Sequence, residues 1–107
     1  MTSYLLLVTS SPYSPQAARA LGLAGALRRL DHPVSAFLLQ DAVLAGLEPG
    51  TLIAPAVAEG VACYALDEDL ALRGFTPRKL APGVEAADYG KLVELMMEQH
   101  DRVLGAF

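Results

Sequence analysis

The chain has 107 residues, of which 53% are hydrophobic, and a formal net charge of −4. That length fits a single domain, residues 1–107, around one core. Only eight residues are Lys or Arg, so no basic stripe exists to neutralise phosphates, and direct, tight nucleic-acid binding is not expected.

Tyr4 to Thr9 is a continuous apolar run, the pattern of a strand buried on both faces. It is far too short to span a bilayer and lacks a basic segment before it, so no membrane anchor or signal peptide is expected. Ser10-Ser11-Pro12-Tyr13 breaks the run. Ser14-Pro15 then reads as an N-cap followed by proline at the first helical position. The helix is predicted from Pro15 to about Leu30, with Leu23, Leu27 and Leu30 as its apolar stripe and Ala20 and Ala24 between them. Arg28 and Arg29 suit the negative end of its dipole.

Asp31-His32-Pro33 turns into a second buried strand, Val34 to Leu39. Asp41 to Gly46 reads as a short helix, and Thr51 to Ala54 as a third strand limited by Pro55. Val61 to Leu66 reads as the next strand, followed by a helix-like Asp67-Glu68-Asp69-Leu70-Ala71-Leu72-Arg73 closed by Gly74. Thr76 to Gly83 holds two prolines and is expected as a loop. Asp88 is the expected N-cap of a last helix reaching His100, with Tyr89, Leu92, Val93 and Met96 facing inward. Arg102 to Phe107 is expected as an edge strand. Strands alternating with helices give an α/β class: one mostly parallel sheet flanked by helices on both faces.

Cys63, the single cysteine, carries the sharpest chemical signal. With no partner for an internal disulfide it fits a reducing cytoplasm. A thiol where a strand meets a helix N-terminus has its thiolate favoured by the dipole, and the thiolate is the nucleophile of sulfur chemistry. Carboxylates at Asp67, Glu68 and Asp69 act in the opposite sense if they lie near the sulfur. The plainer alternative is that Cys63 is a small buried hydrophobe.

In parallel sheets functional groups gather at the carboxyl ends of strands. Ser10, Ser11, Tyr13 and Cys63 all fall at or past such predicted ends. With Tyr64 and Arg73 they are the pocket candidates. Each has a structural alternative: capping for the serines, packing for the tyrosines and a solvated helix end for Arg73. The serine loop lacks the glycines of a phosphate cradle. His32 and His100 have no partner at metal-ligand spacing, so no metal site is expected. Glu94 and Glu98 fit a solvated helix face, and Met96 and Met97 a core or interface.

Three segments resemble the DsrE/DsrF-like family, and within it the DsrE and TusD sulfur-relay subunits. They are Pro12-Tyr13 with Gln16-Ala17-Ala18 leading through Asp31-His32-Pro33-Val34 to Phe37-Leu38; Val61-Ala62-Cys63 with Arg73-Gly74; and Gly90-Lys91-Leu92-Val93-Glu94 leading to Asp101-Arg102-Val103 and Phe107. The resemblance implies a helix-flanked sheet assembled into trimers or hexamers, as a homo-oligomer or with related subunits. The high hydrophobic content agrees with apolar side chains at subunit contacts. It also implies a sulfurtransferase-like role. Cys63, which matches the family cysteine, would accept sulfane sulfur as a persulfide from a donor protein and pass it to an acceptor protein. The routes implied are tRNA wobble-uridine thiolation or dissimilatory sulfur oxidation, and no cofactor is needed. The chain departs from the family pattern in its short middle segment and in the acidic triplet after the cysteine. The competing expectation is a non-catalytic, regulatory module of the same fold with an inert, buried Cys63.

Overall fold

The computed structural model describes residues 2–105. Its strands are β1 (Tyr4–Val8), β2 (Val34–Leu38), β3 (Ala62–Leu66), β4 (Val84–Ala87) and β5 (Arg102–Leu104). Its α-helices are α1 (Pro15–Arg29), α2 (Ala54–Ala58), α3 (Asp67–Leu72) and α4 (Tyr89–Glu94), the last running into a π-helical turn at Leu95–Gln99. The strands form one sheet in the order β4-β3-β2-β1-β5, and every pairing is parallel.

This order explains the layering. From β1 to β4 the chain moves across the sheet in one direction. Right-handed crossovers then put the intervening helices on one face. The step from β4 to β5 reverses direction, so α4 lies on the other face. The buried side chains divide accordingly. Leu6, Val8, Ala36, Leu38, Cys63 and Ala65 meet Ala17, Ala20, Leu21 and Ala24 of α1 on one face. Leu5, Phe37 and Leu66 meet Leu92 and Leu95 on the other. Alternation along each strand sends neighbours to opposite faces.

Ala17, Ala20 and Ala24 of α1 let the helix approach the large sheet residues closely. They, with Leu21 and Gly25, are its buried positions. Leu23 and Leu30 of the predicted stripe are exposed, and Leu27 is partly buried. Ser14 stands at the N-cap, but its hydroxyl donates to the Ser11 carbonyl at 2.7 Å and caps nothing.

Thr51 to Ala54 is not a strand. Pro55 falls in the first turn of α2, where its fixed φ suits a helix and its missing N–H costs nothing. β4 was not expected from the sequence. It is an edge strand holding Glu85 and two alanines, and it begins directly after Gly83. Gly83 has φ +87°, and a Cβ there would collide with Val57. Asp88 caps α4 as expected: its Oδ1 accepts from the Lys91 amide at 2.8 Å. The inner residues are Leu92 and Leu95, while Tyr89, Val93 and Met96 are exposed. β5 forms the other edge as expected, and residues 106–107 of that prediction lie outside the described residues. No helix among the described residues is long and apolar enough to cross a membrane.

Candidate functional site

Cys63 is the second residue of β3, so it does not lie at the carboxyl end of a strand as expected. The sequence run was apolar throughout, and periodicity alone gave no position for the thiol along it. Cys63 stands in register with Ala36 of β2 on one side and Val84 of β4 on the other. Its side chain enters the α1-facing core and is 2% exposed. The Sγ–H donates a long hydrogen bond, 3.5 Å, to the Val61 carbonyl. Burial removes the water that would stabilise a thiolate and pushes the thiol pKa from 9.0 to about 12. α3 starts at Asp67, so the sulfur gains nothing from that short helix.

The acidic triplet serves other ends. All three residues occupy the first turn of α3, where negative charge complements the dipole. Asp69 Oδ2 accepts from the Gln40 amide at 2.6 Å. Gln40 follows β2 with a left-handed φ of +53°, and the carboxylate holds its N–H in place. Arg73 completes this link. Its Nη2 and Nε donate to Asp41 Oδ1 at 2.8 and 3.2 Å, and its Nη1 donates to the Asp69 carbonyl at 3.1 Å. The guanidinium therefore joins α3 to the turn after β2 and is not directed at Cys63.

Of the remaining candidates, Tyr64 and Tyr13 line two separate clefts. Tyr64 points to the face opposite Cys63. It stacks on Phe37, with ring centroids 5.9 Å apart, and lies under the Lys91 ammonium. With Asp67, Glu85, Asp88 and Lys91 it lines a cleft of about 420 Å³ at the carboxyl ends of β3 and β4. Three carboxylates there face one ammonium, a field that repels anionic sulfur species.

Tyr13 is 94% exposed and borders a second cleft of about 500 Å³ with Leu44, Leu47, Pro49, Leu52 and Phe75. Ser11 braces the same loop: its Oγ accepts from the Tyr13 amide at 3.2 Å. Ser10 lies in that loop too. Cys63 lines neither cleft. The structure thus brings Ser10, Ser11 and Tyr13 together, and Tyr64 with Lys91, but joins neither group to the thiol. His32 sits in the helix–strand turn as expected, with Nδ1 2.9 Å from the Thr2 carbonyl. Among the described residues no group of three or more His, Cys, Asp or Glu side chains could hold a metal ion.

The family described as DsrH like protein matches residues 13–103. Protein TusB of Pectobacterium parmentieri is 34% identical over 91 residues, covering 85% of this chain and 88% of that protein. Protein TusB of Photorhabdus laumondii is also 34% identical, over 64 residues, covering 60% and 66% of the two chains. The ychN protein of E. coli superposes with a TM-score of 0.89 at 25% identity, covering 99% of this chain and all of that one. A protein of unknown function from Methanobacterium thermoautotrophicum shares the fold, with a TM-score of 0.75 at 16% identity and 99% and 100% coverage. The sequence match across residues 13–103 and the ychN-like sheet together show that the chain belongs to the DsrH-like family, on the DsrE/DsrF-like fold.

Proposed function

We propose that the chain is a subunit of a sulfur-relay assembly that works by docking to related subunits, with Cys63 a core residue and not the sulfur carrier. The place of the thiol carries this reading: it is 2% exposed between β2 and β4, with its pKa pushed up to about 12. A rise of that size lowers the thiolate fraction near neutral pH by about a thousandfold, and the thiolate is the attacking species.

A place in a relay of the tRNA-thiolation or sulfur-oxidation type is supported by DsrH-like membership and by the three segments that resemble relay subunits. Docking is supported by α4 and the turn that follows it. Tyr89, Val93 and Met97 recur every four residues and are all exposed, a large apolar surface for so small a chain.

The test is a reconstituted relay in which only this subunit carries Cys63→Ala. Sulfur delivery to the final acceptor is expected to be unchanged. Loss of delivery with the assembly intact would make Cys63 a carrier and overturn the reading.

A further inference from the structure

A third cleft, of about 300 Å³, opens at the amino ends of β2 and β3, away from both clefts described above. Arg28, Ser35, Gly60, Ala62 and His100 line it. Ser35 and Ala62 are in register on neighbouring strands and form its floor. Ala62 is exposed although it lies within a strand, because β4 begins only opposite Cys63 and leaves this end of β3 uncovered.

Two elements bring polar side chains to this floor. Arg28 arrives from the end of α1 and lies against Gly60, where a Cβ would stand 3.0 Å from its Nε. Gly60 also has φ +96°, so a side chain at this turn is excluded on two grounds. The neighbouring Arg29 pairs with Glu59 at 3.2 Å. The Arg28 guanidinium has no hydrogen-bond or ion-pair partner among the described residues. His100 enters from the end of the π-helical turn, with Nε2 2.9 Å from Ser35 Oγ. Its Nδ1 is buried with no hydrogen-bond partner among the described residues, a rare state that calls for an explanation. The adjacent Asp101 carboxylate accepts from the Ser3 amide at 3.0 Å and also acts on the His100 ring, partly opposing the desolvation that lowers the imidazole pKa and leaving Arg28 as the cationic group of the cleft.

We propose that this cleft binds a tetrahedral oxyanion of the phosphate or sulfate type. The Arg28 guanidinium supplies the charge, and the Ser35–His100 pair supplies a fixed polar wall. An unpaired guanidinium offers a fixed fork of donors beside a rigid serine–histidine wall, which suits a compact four-oxygen anion. The cleft is at the small end of ligand sites and fits a single such group, not a whole cofactor. The site is independent of the thiol and of the relay reading.

The probes are inorganic phosphate, sulfate and a nucleoside 5′-monophosphate, each titrated at constant ionic strength and followed by amide and histidine NMR. Saturable shifts are expected at Ser35, Gly60, Ala62 and His100. Arg28→Gln is expected to weaken binding at least tenfold, while Arg78→Gln, on an exposed turn, leaves it unchanged. His100→Gln, a second variant, is expected to weaken it too. Tighter binding of the monophosphate than of phosphate would assign the group to a larger molecule, and equal binding to the free ion. Shifts that do not saturate, that chloride reproduces, or that persist in a folded Arg28→Gln chain overturn the proposal.

Discussion

Cys63 and Ala36 stand side by side on adjacent strands, with both side chains in the core that faces α1. The small methyl of Ala36 makes room for the sulfur, and Val84 closes the other side. Burial of the thiol has a consequence for stability that depends on pH. The folded chain holds the proton to about pH 12, whereas the unfolded chain releases it near 9. Between those values the unfolded state binds fewer protons, so stability falls as pH rises, by at most about 1.4 kcal/mol per unit from this group. Below pH 9 the group has no effect. Urea unfolding from pH 8 to 11 is expected to show a steeper decline for the native chain than for Cys63→Ala. Parallel curves would place the thiol in contact with water.

Asp69 is expected to matter more than its surface position on a helix implies. It accepts from the Gln40 amide at 2.6 Å, and its side chain is only 13% exposed. Removing it gives up a short charge-assisted bond that fixes a left-handed residue and leaves that amide to solvent. Asp69→Ala is expected to cost about 1–3 kcal/mol in urea unfolding. Arg73→Ala is expected to cost about 0.2–1 kcal/mol, because its Asp41 partner is 62% exposed and water screens the pair. Equal costs for the two would contradict this ranking.

Two glycines test the backbone argument against each other. Gly83→Ala meets Val57 and a positive φ together, and a loss above about 2 kcal/mol is expected. Gly22 lies in the middle of α1 with nothing within 4 Å of a Cβ, so Gly22→Ala is expected to add about 0.5–1 kcal/mol. Thermal unfolding of both variants checks the opposite signs.

Much of this architecture is legible in the residues. The runs at Tyr4–Val8 and Val34–Leu38 are apolar because both faces of a central strand are covered, and Pro15 and Asp88 mark helix starts. β4 carries no such mark, because an edge strand is covered less and its Glu85 interrupts the apolar pattern. The inward face of the last helix is rotated from the expected one: Leu92 and Leu95, three residues apart, face the sheet, whereas Tyr89 and Val93 of the regular α4 segment face out. Leu95 is buried in place of Met96.

The position of the thiol is the least legible feature in the residues. Which face Cys63 joins depends on strand register, and a shift of one residue reverses it. Its depth depends on α1 packing across the sheet, a non-local contact. The third cleft had one legible sign, Ser35, the single polar residue in an otherwise apolar strand. Its partner His100 lies 65 residues away.

The most direct measurement is the intact mass of the folded chain after exposure to a low-molecular-weight persulfide donor at neutral pH, with Cys63→Ser and a urea-unfolded sample alongside. A core thiol predicts added sulfur on the unfolded native sequence only. Rapid addition of one sulfur to the folded chain, absent from Cys63→Ser, would contradict it.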